Sequence, residues 1–296
     1  MKKYVIAAIG EILWDVLPGA EVLGGAPVNF AYHVTALGGR GIPISTIGKD
    51  LRGARALDQL RGRGVETAGI SVAEGLPTGY VDISLDGEGV AAYRFPPEVA
   101  WDHLQANDFA RNLRDELDAV CFGTLAQRSV DSRRTILDYL DGLRPGTVRV
   151  YDVNLRQDFY SREVVEFSLA RADIVKLNDA ELPLLAELLG FGRGEERLLL
   201  QEMLKRFGVS LAILTRGGQG SLLMTSKKTS VHPGIAAEIA DTIGAGDAFT
   251  AAATLGWLGK MDLDRLNEMA NRLAVYVCTR QGAMPDIPEE MKMFDA

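Results

Sequence analysis

Short apolar runs and amphipathic segments alternate along almost the whole chain, and this alternation restricts the fold more than any other feature of the sequence. Several of the runs are continuously apolar, which is typical of strands covered by helices on both faces. The repeated strand–helix order predicts a doubly wound α/β fold, with a mostly parallel sheet between two helical layers. The predicted strands are Tyr4–Ile9, Ile42–Ile47, Ala119–Phe122, Val148–Val153, Ile174–Leu177 and Ser210–Leu214.

The segments between these strands have the periodicity of helices. The helix that begins at Pro27 shows the clearest boundaries, because proline suits the first turn and the glycines at 38 and 39 suit the position after the last turn. The predicted helices are Pro27–Leu37, Asp50–Arg61, Val130–Leu143, Arg162–Ala170, Ala180–Leu189, Glu195–Phe207, Asp247–Leu258 and Leu263–Cys278.

One segment departs from the strand–helix order. Residues 78–95 contain two alternating runs around a glycine-rich turn at Asp86–Gly89, which is typical of a β-hairpin. A hairpin that leaves the sheet could cover an active site, although an ordinary edge hairpin has the same pattern. Since there is no repeat and no low-complexity linker, we expect one main domain with a hairpin lid.

Composition narrows the classes of partner. The 296 residues include 32 Lys and Arg against 40 Asp and Glu, a net charge of -8, which argues against nucleic acid as the main partner. Nucleotide phosphates remain possible ligands, because backbone N–H groups can bind them. Cys121 and Cys278 lie in apolar runs and are expected to be reduced, as in a cytoplasmic protein. Glu11 and Asp15 interrupt the apolar N-terminal stretch, so we expect no signal peptide and no membrane span there.

The densest motif is DTIGAGD at residues 241–247, directly before a helical run. Two glycines at the start of a helix allow a tight turn whose N–H groups, at the positive end of the helix, suit a phosphoryl group. Asp247 would then face the same point and could accept a proton from an attacking hydroxyl. An aspartate that only caps the helix would have the same pattern.

Other motifs that would indicate a different enzyme class are incomplete. GAGDAF has Phe249 where the dinucleotide-binding fingerprint requires its third glycine, and Gly48-Lys49 is followed by Asp50 rather than Ser or Thr, so it is not a P-loop. The three histidines lack the spacing of zinc ligands. No GxSxG motif is present, which argues against an esterase.

A second polar group lies near the N-terminus. Asp15 follows the first predicted strand, and Asn29 lies in the first turn of the helix that begins at Pro27. A carboxylate and an amide in loops at strand ends can accept and donate the hydrogen bonds that hold sugar hydroxyls. A solvated turn and a helix cap are the alternative interpretation.

Together these residues resemble the two signatures of the ribokinase-like (PfkB) family of carbohydrate and nucleoside kinases. GGAPVNFAYHVTALG and DTIGAGDAF stand in the family's order. DVNLR at 152–156 is similar to the family's DxNxR segment, NDAE at 178–181 to its NxxE motif, and TRGGQG at 215–220 to its nucleotide loop. The resemblance implies one ribokinase-like domain over residues 1–296, with a β lid formed by about residues 11–25 and 78–97.

The resemblance implies a role for each residue of the phosphate site. Asp247 would be the catalytic base, and the backbone amides of Gly244, Ala245 and Gly246 would form an anion hole for the γ-phosphate. Arg156 would approach the substrate or the transferred phosphate, since a guanidinium group suits phosphate oxygens.

On the sugar side, the resemblance implies binding by Asp15, Gly25 and Asn29, with Arg94 of the hairpin as a further contact. Arg94 could equally be a solvated arginine at the edge of the lid. In this family the lids of two chains often associate. We therefore expect this chain to form a homodimer through its lid.

The remaining implied ligands are ATP, Mg²⁺ and a monovalent cation. Asn178 and Glu181 would organise the ATP phosphates and Mg²⁺, with water between Glu181 and the metal. Asp241 and the loop at 280–283 match the region that supplies oxygens to a monovalent cation such as K⁺. The residues implied to line the nucleotide pocket are Thr215, Gly217, Gly220 and Asn271.

Within the family, GEILWDVLP, LGGAPVNFAYH and FGTLAQR look most like bacterial fructokinases. We therefore expect transfer of the γ-phosphate of ATP to a primary hydroxyl of fructose. A kinase for 2-keto-3-deoxygluconate, ribose or a nucleoside is the nearest alternative. More distant alternatives are a non-catalytic sugar-binding protein and a dinucleotide-dependent oxidoreductase.

Overall fold

The protein is described by a computed structural model that covers residues 3–85 and 91–292. The strands are β1 (Val5–Ile9), β2 (Leu13–Leu17), β3 (Ala20–Gly24), β4 (Arg40–Gly48), β5 (Ile70–Ala73), β6 (Gly79–Leu85), β7 (Ala91–Arg94), β8 (Ala119–Gly123), β9 (Val148–Asp152), β10 (Ile174–Asn178), β11 (Leu211–Thr215), β12 (Ser221–Met224) and β13 (Thr229–His232).

The helices alternate with the strands of the larger sheet. They are α1 (Ala26–Ala36), α2 (Leu51–Gly62), α3 (Asp108–Leu113), α4 (Val130–Asp141), α5 (Arg162–Leu169), α6 (Glu181–Leu189), α7 (Glu196–Phe207), α8 (Ala245–Leu258) and α9 (Leu263–Cys278). Every strand and helix predicted from the alternation is present, with boundaries within two residues of the prediction. In the described part of the chain, no helix has the length and apolar character needed to cross a membrane.

The larger sheet has nine strands in the order β13-β12-β11-β10-β9-β8-β1-β4-β5. From β11 to β5 all neighbouring strands are parallel, and β12 and β13 add an antiparallel edge. Side chains of β1 alternate between two apolar layers: Ile6 and Ala8 pack with residues of α1, α2, α8 and α9, whereas Ala7 and Ile9 pack with residues of α3 to α7. The predicted doubly wound fold is confirmed.

A smaller sheet of four strands has the order β3-β2-β6-β7. β6 and β7 form the antiparallel hairpin predicted over residues 78–95, and the predicted turn at Asp86–Gly89 lies outside the described residues. Asp15 of β2 is in register with Val22 of β3 and Val81 of β6, so these three side chains share one face. We call it the Asp15 face.

The opposite face of the smaller sheet packs on α2. The guanidinium groups of Arg55 and Arg52 lie 4.4 Å from the ring centroids of Trp14 and Tyr80, respectively. Glu21 of β3 accepts hydrogen bonds from both arginines at 2.7 Å. These contacts hold one face of the smaller sheet against α2. The Asp15 face is the opposite face and does not take part in them.

Candidate active site

Most of the polar residues predicted as functional lie at one edge of the larger sheet. In parallel strands all carboxyl ends point to the same edge, and loops that follow the strands meet there. Glu11 follows β1, Asn154 follows β9, and α8 brings Asp247 to the same place; all three line one pocket. Residues distant in the sequence are therefore neighbours because of the topology.

The start of α8 requires glycine. Gly244 precedes the helix with φ of 78°, and a Cβ atom added there would lie 2.6 Å from Cα and Cβ of Ala283. The helix begins at Ala245, two residues before the predicted start, which places Ala245, Gly246 and Asp247 in its first turn. The first N–H groups of a helix have no carbonyl partner within the helix, so this turn presents donors at the positive end of the helix dipole. The N–H of Ala245 also lies 3.4 Å from the carbonyl oxygen of Thr242.

Asn29 and Asp247, 218 residues apart, are in direct contact. Nδ2 of Asn29 donates a hydrogen bond to Oδ2 of Asp247 at 2.8 Å. Asn29 lies in the first turn of α1 and is only 4% exposed, and its buried Oδ1 has no hydrogen-bond partner within residues 3–85 and 91–292. A buried acceptor without a partner is costly, so this atom is suited to receive a hydroxyl from a ligand.

The surroundings of Asp247 raise its pKa to about 7, mainly through burial and secondarily through the negative charge of Asp152. The hydrogen bond from Asn29 and the charges of Lys176 and Arg156 act in the opposite direction. A carboxyl group with a pKa near neutral pH can both take up and release a proton, which suits a general base.

Glu11 is a second carboxyl group in the same pocket, and it is not among the residues predicted from the sequence. It is 3% exposed, and its Oε1 lies 3.3 Å from the backbone nitrogen of Ala26, which donates to it. Burial is the main reason that its pKa is raised to about 7. Its position two residues after a fully apolar strand, at the carboxyl edge of the sheet, is the sequence signal that could have identified it.

Arg156 and Asp15 lie near this pocket but are not among its lining residues. Arg156 is exposed in the loop after β9, and its positive charge lowers the pKa of Glu11, Asp15 and Asp247. Burial dominates for Asp15, whose pKa is raised above its ordinary value. Gly24 allows this carboxylate to lie close, because a Cβ atom there would be 3.0 Å from Oδ2 of Asp15. Position 25 also requires glycine. Its φ is 111°, and a Cβ atom added there would lie 2.5 Å from the carbonyl oxygen of Glu11.

A buried ion pair lies beneath the start of α8. Nζ of Lys176 in β10 donates to Oδ1 of Asp152 in β9 at 3.0 Å, and Oγ1 of Thr250 donates to Oδ2 of Asp152 at 2.9 Å. Burial would lower the pKa of Lys176, but the carboxylates of Asp152, Glu181 and Asp247 raise it, so the ammonium group is charged. Lys176 was not selected from the sequence, where it interrupts an apolar strand.

Asn178 and Glu181 form a reciprocal pair at the end of β10. The N–H of Glu181 donates to Oδ1 of Asn178, and the N–H of Asn178 donates to Oε2 of Glu181, both at 2.8 Å. Oε1 of Glu181 accepts from the N–H of Leu155 at 2.8 Å, and burial raises the pKa of this carboxyl group. Because both oxygens already bind backbone amides, the geometry favours an indirect role toward a metal.

The donor set fits Mg²⁺ held through water and phosphate oxygens. Mg²⁺ usually keeps several waters and binds through one or two carboxylates together with substrate phosphates. Within residues 3–85 and 91–292, no cluster of three or more His, Cys, Asp or Glu side chains could form a protein cage for a metal. Glu181 is then the residue that would orient such waters.

The predicted nucleotide loop follows β11. Gly217 and Gly220 have φ of 52° and 79°, and a Cβ atom on Gly220 would lie 2.1 Å from the carbonyl oxygen of His232. Thr215 ends β11, with its hydroxyl 3.4 Å from the carbonyl oxygen of Leu177. The amide of Asn271 is buried beside this loop and donates to Oγ of Ser221 at 2.7 Å, so it joins α9 to β12.

Two predicted residues lie apart from this group. Arg94 pairs in register with Asp82, on the side of the smaller sheet opposite the Asp15 face, and its Nε lies 3.3 Å from Oδ2 of Asp82. The structure therefore does not bring Arg94 toward Asp15. Asp241 accepts backbone hydrogen bonds from Ile243 and Gly282, both at 3.0 Å, and so links the loop before α8 to the loop after α9.

Comparisons with known proteins identify the family of this chain. A relative from Pyrococcus horikoshii, described as an uncharacterized sugar kinase, is 30% identical over 94% of this chain and 91% of its own length. Its crystal structure in complex with ATP matches with a TM-score of 0.80 at 29% identity, covering 95% of this chain and 94% of that one. The fructokinase of Klebsiella pneumoniae is 28% identical over 96% of both chains. The model of the pfkB family carbohydrate kinases matches residues 19–290, and this chain therefore belongs to the pfkB family of carbohydrate kinases.

Proposed function

We propose that this chain is an ATP- and Mg²⁺-dependent kinase that phosphorylates a primary hydroxyl of D-fructose. The observation that carries the proposal is the 2.8 Å hydrogen bond between Asn29 and Asp247. It joins a residue predicted to bind the sugar to a residue predicted to accept its proton, at the first turn of a helix whose amides suit a phosphate. Fructokinase relatives such as that of Klebsiella pneumoniae support fructose as the acceptor.

In the proposed reaction, the buried Oδ1 of Asn29 accepts a hydrogen bond from one sugar hydroxyl, and Asp15 accepts from another. The oxygen of the primary hydroxyl attacks the γ-phosphorus of ATP and loses its proton to the carboxylate of Asp247. An O–P bond to the sugar forms while the bond between the γ-phosphorus and the bridging oxygen breaks, and ADP leaves. The products are ADP and a sugar phosphate.

The amides of the first turn of α8 stabilise the charge on the transferred phosphoryl oxygens, because they are fixed in place before the reaction. Arg156 lies near the pocket, and its guanidinium group can bind phosphate oxygens. Mg²⁺, when bound, neutralises charge on the β- and γ-phosphates. The loop at 215–220 holds the nucleotide, and Glu181 holds the backbone of Asn178 and Leu155 in position.

The Asp15 face supports a neutral sugar. Val81 and Ile83 share this face with Asp15, whereas Arg94 lies on the opposite face. A cationic group for an acidic sugar is therefore not supplied by this part of the sheet. Arg156, whose charge reaches Asp15, is assigned here to phosphate oxygens, and with that assignment a neutral sugar such as fructose is favoured over 2-keto-3-deoxygluconate.

A coupled assay of ADP release tests the proposal with D-fructose, ribose, 2-keto-3-deoxygluconate and adenosine. We expect kcat/KM to be highest for fructose, because sites built to bind particular hydroxyls reject analogues that lack them. Arg94→Ala should leave kcat/KM for fructose within about threefold, since an exposed ion pair contributes little. Preference for 2-keto-3-deoxygluconate, lost in Arg94→Ala, would show that the sugar is assigned wrongly. Absence of ADP release with all four would show that fructose is not the acceptor.

A further inference from the structure

The ion pair of Lys176 and Asp152 beneath α8 has no role in the proposed reaction. Lys176 and Asp152 lie in the middle of the larger sheet, and their side chains are 8% and 7% exposed. Burying two charges costs several kcal/mol per ion, and well-packed apolar residues are often as stable or more stable. The neighbours of Lys176 in β10 are Val175 and Leu177, which are fully buried and apolar. Stability alone therefore gives no reason for a lysine at this position.

The contacts of the pair lead directly to the first turn of α8. Oγ1 of Thr250 lies 2.9 Å from Oδ2 of Asp152 and also 2.9 Å from the carbonyl oxygen of Gly246. Nζ of Lys176 lies against Gly246 itself, since a Cβ atom added to that glycine would be 3.0 Å from it. The ammonium group thus touches the turn whose amides were assigned to the transferred phosphoryl group.

The charges around this turn are otherwise mostly negative. Asp152, Glu181 and Asp247 all interact with Lys176, and Glu11 lies in the same pocket. Arg156 supplies positive charge only from the exposed side. Without Lys176, an anionic phosphoryl group would approach a set of carboxylates with no buried cation among these residues, which opposes transfer in a site of low polarity.

We propose that Lys176 is a positioning residue for phosphoryl transfer, which holds a fixed positive charge against Gly246 and, through Asp152 and Thr250, holds the first turn of α8. This inference rests on the proposed function. In this role the ion pair stabilises the transition state of phosphoryl transfer and does not bind the sugar. Removal of the pair should therefore lower kcat more than it changes the KM for the sugar.

The test compares Lys176→Met with the double variant Asp152→Asn/Lys176→Met. The single variant leaves a buried carboxylate without its partner and is expected to be strongly destabilised. The double variant removes both charges and keeps similar shapes, so it should retain much of the stability of the wild-type protein. Arg40→Met/Glu66→Gln is the matched control. It neutralises another ion pair, half-buried and joined at 2.8 Å. Arg40 is at the start of β4, whereas the pocket lies at the carboxyl ends of the strands.

For the folded double variant, we expect kcat to fall by about 10-fold to 100-fold, near the lower limit for loss of a fixed electrostatic group, with KM for the sugar within about threefold. The control variant should keep kcat within about twofold, since half-exposed pairs contribute little. A double variant that is folded and has wild-type kcat would overturn the proposal, because the pair would then be only structural.

A binding readout separates this inference from the proposed function. Calorimetry with ADP, Mg²⁺ and tetrafluoroaluminate, a mimic of the transferred phosphoryl group, should show affinity lowered by about the same factor as kcat in the double variant. Affinity for ADP and Mg²⁺ alone should change by less than about threefold. If the wild-type protein phosphorylates no sugar, this comparison still decides the role of Lys176, and equal affinity of both proteins for the mimic would overturn it.

Discussion

Asp247 and Glu11 are two carboxyl groups in one pocket, each with a pKa raised to about 7, mainly by burial. Their partners distinguish them. Asp247 accepts from Nδ2 of Asn29, whose side-chain oxygen has no partner among the described residues and can bind a ligand. Glu11 accepts from the backbone of Ala26 at the start of α1. Asp247 is therefore suited to proton transfer, and Glu11 to holding the loop between β1 and α1.

The first prediction concerns Asp247→Asn. The amide keeps an oxygen that can accept from Asn29 but cannot take the proton of the sugar hydroxyl. We expect kcat to fall by about 10²-fold to 10⁴-fold while calorimetry shows ATP and sugar binding nearly unchanged. In the wild-type protein, kcat/KM should rise with pH until it passes the pKa of Asp247, about 7, because the base must be deprotonated. Near wild-type turnover in the variant would remove Asp247 from the role of base.

The second prediction concerns the stability of Glu11→Gln as a function of pH. The pKa of Glu11 is about 7 in the folded protein, above its ordinary 4.5, so between these values the folded chain holds a proton that the unfolded chain has released. Stability from this group is present at low pH and is lost as the pH rises through 7. Glutamine does not titrate. The increase in free energy of unfolding that Glu11→Gln gives over the wild-type protein should therefore be about 1–3 kcal/mol larger at pH 8 than at pH 5. Urea denaturation of both proteins at both pH values measures this difference. An increase in the free energy of unfolding that does not depend on pH would contradict the burial of a titrating carboxyl group.

Residues in local motifs could be predicted, and residues defined by long-range pairs could not. Asp247 and Asn29 each belong to a glycine- or proline-containing segment that can be recognised alone. Lys176 has no such segment, since its partner Asp152 lies 24 positions away in another strand. Its environment exists only after β9 and β10 have paired, and so no pattern in the sequence around it indicates a buried cation.

Among the elements, α8 depends most on its first residue. The third prediction is that Gly244→Ala lowers the free energy of unfolding by about 2–4 kcal/mol, because alanine is disfavoured at positive φ and its Cβ would overlap Ala283. Since the turn must shift, kcat should also fall more than about tenfold. Gly62→Ala is the control: it ends α2, its Cβ would meet nothing within 4 Å, and stability should rise by up to about 1 kcal/mol. Denaturation and ADP-release assays on both variants check the difference, and equal effects would contradict the packing described for Gly244.

The elements that the alternation did not predict are short or lie outside the βα repeat. β5, β12 and β13 have four residues each, too few for a clear period. β2 and β3 were expected only as part of a lid implied by family resemblance, because Asp15 and Glu21 interrupt their apolar pattern. The structure explains these charges: Glu21 binds two arginines of α2, and Asp15 lies near the charge of Arg156.

At the scale of the whole molecule, the Asp15 face extends beyond the pocket as an apolar surface. Leu17 is two residues after Asp15 on the same strand, and Tyr93 is in register with Ile83, so both share this face. Leu17 and Val22 are each 37% exposed and Tyr93 is 53% exposed. Several exposed apolar side chains on one face beside a site are typical of an interaction surface, and a second copy of the same sheet would complement it.

The fourth prediction is that two chains associate through the Asp15 face, as the family resemblance implies. Light scattering at micromolar concentration should give the mass of two chains for the wild-type protein. Leu17→Glu should give the mass of one chain, because a carboxylate buried in such an interface would lose its hydration without gaining a partner. Leu198→Glu is the matched control and should remain dimeric. Leu198 is 59% exposed on α7, which packs against α6 and against β11 of the larger sheet. A wild-type protein with the mass of one chain, or a dimeric Leu17→Glu with an intact fold, would show that the Asp15 face serves the pocket of its own chain alone.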